Sequence, residues 1–289
     1  MDILMNYAFQ IIALGTALLA SVAAPVGALS VYKGQSLIGD AIGHATFPGV
    51  VLAFMAFSTR SPAVLLVGAM AAAAVTFFAI QAAHENTRVG LNANLAVFLS
   101  GFFGLGMVLK SFIQGNEAYR GASQAGLETY IFGQAAYMLE ADVKLIAFVA
   151  ALCAALLFAF YKELKVFVFD AEYARAVGLP VCLLQVLLPF LTIAVIGIGI
   201  KAVGAILISS FLIIPCVAAS QWSDDFAHVL FLSAVFGVVA ALAGTYVSTL
   251  EQGMSTGPSI ILAASAIAFL SMFFGKRGAF RKRGRREEA

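Results

Sequence analysis

The stretch from Lys33 to Gly49 contains an aspartate and a histidine, Asp40 and His44, whose types and spacing could perform chemistry. Because four positions separate them, a helix would project both side chains from one face, one turn apart. A carboxylate oxygen and an imidazole nitrogen in that arrangement can bind a divalent first-row metal ion together. The oxygen suits Mn²⁺ or Fe²⁺, and the nitrogen extends the range to Zn²⁺. Both groups also titrate, so a proton relay is the rival functional role.

The composition indicates that these groups lie in a membrane protein. The chain has 289 residues, of which 62% are hydrophobic and only 11% charged, and its mean hydropathy is +0.98. A water-soluble domain carries roughly a quarter charged residues. The apolar runs are too long and continuous for the alternating strands of a membrane barrel. We therefore predict an all-α, polytopic membrane helical bundle, in which an ionisable pair usually marks an ion or substrate path.

The apolar segments predict about nine transmembrane helices, each near the roughly 20 residues that a bilayer requires. They fall at 7–32, 36–57, 61–83, 92–114, 143–161, 182–200, 203–221, 226–249 and 257–275. Gly197, Gly199 and Gly204 interrupt the pair at 182–221, so eight spans result if that pair forms one broken unit. Residues 1–275 are thus predicted to form one transmembrane domain, and residues 276–289 a basic cytoplasmic tail.

Lysine and arginine placement predicts the orientation, because these residues favour the cytoplasmic side. With nine spans and the N-terminus outside, twelve of the 17 Lys and Arg residues lie on the inner face. Lys33 and the seven basic residues of the tail are among them. The arrangement predicts an outer segment at 115–142 and a cytoplasmic C-terminus.

A second segment, from Glu163 to Pro180, is polar enough to be a short amphipathic helix on the inner face. Gly178 can adopt the left-handed conformation that ends a helix, and Pro180 prevents its continuation. Such a helix at 169–178 could dock into a groove of a cytoplasmic partner. An ordinary interfacial helix explains this fragment equally well.

Both segments resemble sequence motifs of a known family of transporters. The run Gly39-Asp40-Ala-Ile-Gly-His44-Ala-Thr-Phe-Pro48-Gly49 is similar to the signature of permeases from the manganese/zinc/iron importer family of ATP-binding-cassette (ABC) transporters. The run Glu172-Tyr-Ala174-x-x-x-Gly178 resembles the coupling-helix pattern Glu-Ala-Ala-x-x-x-Gly of ABC importers, with Tyr173 in place of the middle alanine. Further similarity covers about residues 30–275, and Phe132-Gly-Gln-Ala-Ala136 favours the manganese/iron branch.

The resemblance implies the fold and partners of an ABC importer permease. It implies a second permease copy or a paralogue, two cytoplasmic ABC ATPase subunits docked on the 169–178 helices, and an extracytoplasmic metal-binding protein that delivers the ion. It also implies that Asp40 and His44 contact metal, and that Glu172, Ala174, Arg175 and Gly178 couple to the ATPase. The chain has no GxxxxGK[ST] motif, so ATP hydrolysis is expected from a partner. We expect that the chain is not itself an enzyme, that it holds no resident cofactor and that it binds no nucleic acid.

The sequence thus predicts the permease subunit of an ATP-driven importer in a bacterial cytoplasmic (inner) membrane, with Mn²⁺ favoured and Fe²⁺ or Zn²⁺ as other cargo. The alternative is a proton-coupled secondary metal transporter with Asp40 and His44 as relay. An intramembrane metalloenzyme would require a motif such as HExxH, which the sequence lacks. An importer of a metal chelate would require a wide apolar path, which sequence alone does not test.

Overall fold

The fold is helical throughout the part of the chain that the computed structural model describes, which comprises residues 6–59, 61–116, 133, 135, 138–250 and 254–277. The helices, in chain order, are α1 (Tyr7–Tyr32), α2 (Ile38–Phe57), α3 (Pro62–Asn86), α4 (Leu91–Gly115), α5 (Glu140–Ala159), α6 (Tyr161–Phe169), α7 (Ala171–Ala176), α8 (Val181–Ser220), α9 (Phe226–Leu250) and α10 (Thr256–Phe274). The predicted all-α membrane bundle is confirmed.

The helix α8 is interrupted and supplies two spans, Val181–Ile200 and Ala202–Ser220. A straight helix of its 40 residues would be about 60 Å long, roughly twice the hydrocarbon thickness. Gly204 breaks it with a φ of 83° and a ψ of 166°. A β-carbon at Gly199 would lie 2.6 Å from Cδ1 of Ile208, so the chain bends sharply there. Within the described ranges, nine helices are long and apolar enough to cross a membrane, which confirms the prediction of nine spans.

The contacts divide the chain into two units. The first unit comprises Met1–Ser36, Ala135–Val195 and Ser210–Ala289, and the second comprises Leu37–Gln134 and Ile196–Ser209. The predicted outer segment falls largely on residues outside those described, as do most of the basic tail and part of the Phe132–Ala136 motif. Those predictions stay untested.

In the second unit, α2 packs against both α3 and α4 through glycines. Gly49 of α2 and Gly68 of α3 face each other so closely that a β-carbon on either would overlap backbone or side-chain atoms of the other helix. Gly106 of α4 lies against Phe47 and Pro48 in the same way. Small residues allow this approach in lipid, where helix association depends on close packing. The apolar core beside them contains Phe47, Val50, Val51, Ala53, Phe54, Leu65, Ala69 and Ile113.

In the first unit, α1 packs against α5 and α9, and α9 packs against α10. Gly244 of α9 touches the backbone of Ile260 in α10, and Gly237 lies against Ala20 of α1. The buried hydroxyls of Thr16 and Thr245 meet at 3.5 Å between α1 and α9. The same kind of close helix contact therefore holds this unit together.

The segment 163–180 differs from the single amphipathic helix that the sequence predicts. It forms two helices, α6 and α7, that meet at Asp170. Asp170 has extended backbone angles, and its carboxylate accepts a hydrogen bond of 2.8 Å from the Tyr173 amide. An aspartate in that position caps a new helix. The polar pattern of the sequence therefore did not show that α6 ends and α7 begins here.

We predict that Gly244→Ala destabilises the protein, because the added methyl group would overlap the Ile260 backbone and push α9 away from α10. Overpacking of this kind typically costs about 1–3 kcal/mol. Thermal unfolding of the detergent-purified protein, followed by circular dichroism, measures the change.

Gly101→Ala is the matched control, since nothing in the chain lies within 4 Å of a β-carbon at that position of α4. It should leave the unfolding temperature unchanged or raise it slightly, because alanine is the better helix former. Equal unfolding temperatures for the two variants would contradict the proposed α9–α10 contact.

Candidate functional site

Asp40 and His44 face each other on the first two turns of α2. Asp40 lies in the first turn of the helix. Nε2 of His44 lies 3.4 Å from Oδ1 of Asp40, and the two side chains are 20% and 31% exposed, respectively. The carboxylate and the imidazole therefore share one face, as the spacing predicts, and both remain open enough to receive a ligand. Their role in metal binding stays a prediction.

The imidazole of His44 is held by an aromatic neighbour from α4. The ring of Phe103 meets it edge to face, with centroids 5.1 Å apart. Gly106, one turn further along α4, permits this because it lets the helix approach Phe47 and Pro48. Sequence reasoning missed Phe103, and the phenylalanine-rich pattern of α4 carries no signal that distinguishes this ring from its neighbours.

Pro48 also changes the backbone beside the pair. A proline has no N–H, so Pro48 cannot donate the helical hydrogen bond to the carbonyl oxygen of the residue four positions earlier, which is His44. Freed backbone oxygens of this kind occur in membrane helices where they line a cavity or a pathway. The surroundings of His44 thus include a backbone acceptor as well as its ring.

A serine from α8 completes the polar surroundings. A β-carbon at Gly43 would lie 3.3 Å from Oγ of Ser209, so the Ser209 hydroxyl lies over the helix face that carries Asp40 and His44. The Ser209 hydroxyl also lies near the Asp40 carboxylate. Sequence reasoning missed this residue, although the polar pair Ser209-Ser210 inside an apolar span is a signal that could have pointed to it.

The site therefore contains few charged donors. Within the described residues, no group of three or more His, Cys, Asp and Glu side chains lies close enough to hold a metal ion. One chain offers a carboxylate, an imidazole and a hydroxyl, which is an O/N set suited to a divalent first-row ion. Additional ligands to an ion there would have to be neutral oxygens, water or groups from another chain.

The second candidate segment, α6–α7, presents an exposed patch. Glu172, Arg175 and Gly178 are exposed, as are the side chains of Tyr173 and Val177. Ala174, in contrast, is fully buried. Three of the four residues in the predicted coupling set thus lie on a surface, whereas Ala174 can contribute only by packing beneath it.

The end of α7 has the hydrogen bonds of a Schellman motif. The Leu179 amide donates to the Ala174 carbonyl at 3.0 Å, and the Gly178 amide donates to the Arg175 carbonyl at 3.1 Å. Gly178 adopts a φ of +80°, which glycine tolerates and most side chains do not. The helix stop that the sequence predicts at Gly178 is confirmed.

Aromatic and cationic contacts anchor α6 to the rest of the first unit. The rings of Tyr32, Phe169 and Phe226 form a triangle with centroid separations of 5.2–5.6 Å. Nζ of Lys33 lies 4.2 Å from the ring centroid of Phe167. Burial lowers the pKa of the Lys33 ammonium to about 8. The segment that carries the α7 patch is therefore packed, through α6, against the end of α1.

Comparison with known proteins shows that the chain is similar to the membrane proteins of metal transport systems. The chain is 36% identical over 265 residues to the manganese transport system membrane protein MntC of Bacillus subtilis, a match that covers 91% of this chain and 60% of that relative. It is 35% identical over 275 residues to the zinc transport system membrane protein TroC of Treponema pallidum, covering 95% of this chain and 91% of that one.

Among solved structures, PsaBC from Streptococcus pneumoniae, in complex with a Fab, superimposes with a TM-score of 0.81 at 26% identity. The alignment covers 98% of this chain and 97% of the other. The sequence pattern of the ABC 3 transport family matches residues 5–275, a range that contains all ten helices. The chain is a polytopic membrane protein that belongs to the ABC 3 transport family.

Proposed function

We propose that this chain is the membrane-spanning permease subunit of an ABC importer for divalent transition metal ions, with Mn²⁺ as the favoured cargo and Fe²⁺ or Zn²⁺ as the other candidates. The observation that carries the proposal is the facing Asp40–His44 pair inside a transmembrane helix of an ABC 3 family member. The relatives' names support the cargo class, since they include manganese, zinc and chelated-iron transport systems.

The proposed importer works with partners. Two ABC ATPases would dock on the α7 patch of two permease copies, or of this chain and a paralogue, and an extracytoplasmic protein would deliver the ion. Lysine and arginine placement supports an inner-membrane orientation with the C-terminus in the cytoplasm. The exposed α7 patch favours this ATP-driven importer over the proton-coupled alternative, which needs no such docking surface.

Ion release requires the site to hold metal weakly. Two protein donors from one chain hold an ion less tightly than a closed four-ligand site. By intrinsic affinity, N/O ligands prefer Zn²⁺ to Mn²⁺. Selection of Mn²⁺ would therefore depend on the delivery protein and on the geometry of the site, while Asp40 and His44 would guide the ion through.

We predict that Asp40→Ala and His44→Ala each reduce metal uptake at least about tenfold, because even residues that only support a metal ligand typically cost 10–100-fold in affinity. The measurement is uptake of Mn²⁺, Fe²⁺ and Zn²⁺ by the complete complex in proteoliposomes, with equal amounts of each variant.

The chain supplies its own control in a second aspartate–histidine pair. Nδ1 of His228, in the first turn of α9, lies 2.7 Å from Oδ2 of Asp225, which precedes the helix, and both side chains are exposed. His228→Ala should therefore leave uptake near the wild-type level. Normal uptake by both Asp40→Ala and His44→Ala would refute the proposed pore site.

We predict that Gly178→Val weakens ATPase binding whereas Gly178→Asn retains most of it. A β-branched side chain in the left-handed region costs about 1–2 kcal/mol, while asparagine visits that region readily. The valine would thus distort the end of α7 without altering the charged residues on its surface. The assay is co-purification of the ATPase subunit with the tagged permease, together with ATP-dependent uptake.

Neither substitution meets a steric obstacle, since nothing lies within 4 Å of a β-carbon at Gly178. A difference between valine and asparagine therefore reports on backbone conformation rather than on crowding. Full co-purification and uptake with Gly178→Val would show that α7 is not the docking element.

A further inference from the structure

The Asp40–His44 pair lacks a third charged or imidazole ligand within the described residues. A neutral oxygen donor would fill that gap without adding charge to a membrane helix, where each charge is costly. The candidates are therefore hydroxyl groups that lie on the same face of α2.

Ser209 is the hydroxyl that meets this condition. Asp40, Gly43 and His44 occupy positions i, i+3 and i+4 of α2 and so share one face of the helix. A β-carbon at Gly43 would lie 3.3 Å from Oγ of Ser209 and 3.9 Å from Cβ of Ala205. The missing side chain at position 43 leaves the opening into which the serine hydroxyl projects.

The position of Ser209 is fixed by the break in α8. Gly204 leaves the helical conformation five residues before Ser209, which is only 6% exposed. Gly133, with a φ of +74°, packs directly against the backbone of Val203 and Gly204. The break is thus packed from outside the helix, and the serine has little freedom to move away from α2.

The single hydroxyl proton of Ser209 has two acceptors within reach. Oγ lies 2.9 Å from the carbonyl oxygen of Ala205, to which it donates, and the Asp40 carboxylate lies near it. When the proton points to Ala205, the Oγ lone pairs are free. An ion on the carboxylate would favour this rotamer of the hydroxyl, because a cation repels the O–H proton and attracts the lone pairs.

We propose that Ser209 is a third metal-binding residue, whose hydroxyl oxygen joins Asp40 and His44 on the transported ion while its proton is donated to the Ala205 carbonyl. This inference rests on the proposed function, because it assigns a ligand to the same site. A hydroxyl is a hard, neutral oxygen donor, so it suits Mn²⁺. It adds little to the affinity of the site, which must later release the ion.

The test compares Ser209→Ala and Ser209→Cys in the complete complex, with uptake of Mn²⁺ and of the softer ion Cd²⁺ measured in proteoliposomes. Ser209→Ala should raise the KM for Mn²⁺ about tenfold or more, the size of effect that ligand-supporting residues show. Ser209→Cys keeps the side-chain size but replaces oxygen with sulfur, which soft metals prefer. It should lower the ratio of Mn²⁺ to Cd²⁺ uptake at least about tenfold.

Ser271→Ala is the matched control. Ser271 is also buried in a transmembrane helix, and its Oγ donates to the carbonyl four residues earlier, at 2.7 Å, as Ser209 does. It should change neither KM nor the metal ratio. A purely structural role of Ser209 would alter uptake of both ions equally, so an unchanged Mn²⁺ to Cd²⁺ ratio in Ser209→Cys would overturn the proposal.

The Asp40→Ala variant distinguishes this inference from the proposed function. If Asp40→Ala abolishes uptake but both serine variants retain the wild-type KM and metal ratio, the pore site stands and the role of Ser209 is refuted. If Asp40→Ala and His44→Ala both transport normally, the pore site itself is wrong and this inference is refuted with it. Ser209→Cys, which is nearly isosteric, keeps the test valid if Ser209→Ala fails to fold.

Discussion

Close approach of helix backbones is the constraint on which the site depends. Lipid offers helices little hydrophobic reason to associate, so they pack where small residues let them touch. In the second unit, the contact of Gly49 with Gly68 brings α2 against α3, and Gly106 brings α4 against α2. The contact at Gly106 places the Phe103 ring against His44. The gap at Gly43 admits the Ser209 hydroxyl. The polar residues do the proposed chemistry, but glycines decide whether they meet.

The same packing explains how ionisable groups can persist in an apolar bundle. Asp40 has the His44 imidazole one turn away and the Ser209 hydroxyl nearby, so polar groups surround its charge within the bundle. A buried carboxylate without such partners would be strongly disfavoured in hydrocarbon. At the proposed site, a cation would gain the carboxylate but displace these interactions. The net preference for the bound state would therefore be modest, which suits a site that must release its ion.

The sequence predicts those features that depend on local pattern. Hydropathy predicts the spans, the four-residue spacing places Asp40 and His44 on one face, and Gly178 predicts the end of α7. The split of the 163–180 segment was missed, because Asp170 reads as one more polar residue in an amphipathic pattern until its backbone angles are known. Ser209 and Phe103 were missed because they lie far from α2 in sequence, and their proximity results from packing that no local pattern encodes.

The route from the α7 patch to the proposed metal site is short along the chain. The Phe169 ring contacts Tyr32, and Phe167 lies under the Lys33 ammonium, so α6 packs against the end of α1. Only four residues, 34–37, separate Lys33 from α2, whose first turn carries Asp40. Burial lowers the pKa of the Lys33 ammonium, and the cation–π contact with Phe167 offsets part of the hydration that the ammonium gives up. A movement of α6 would therefore act first on the end of α1, through the Phe167–Lys33 and Phe169–Tyr32 contacts.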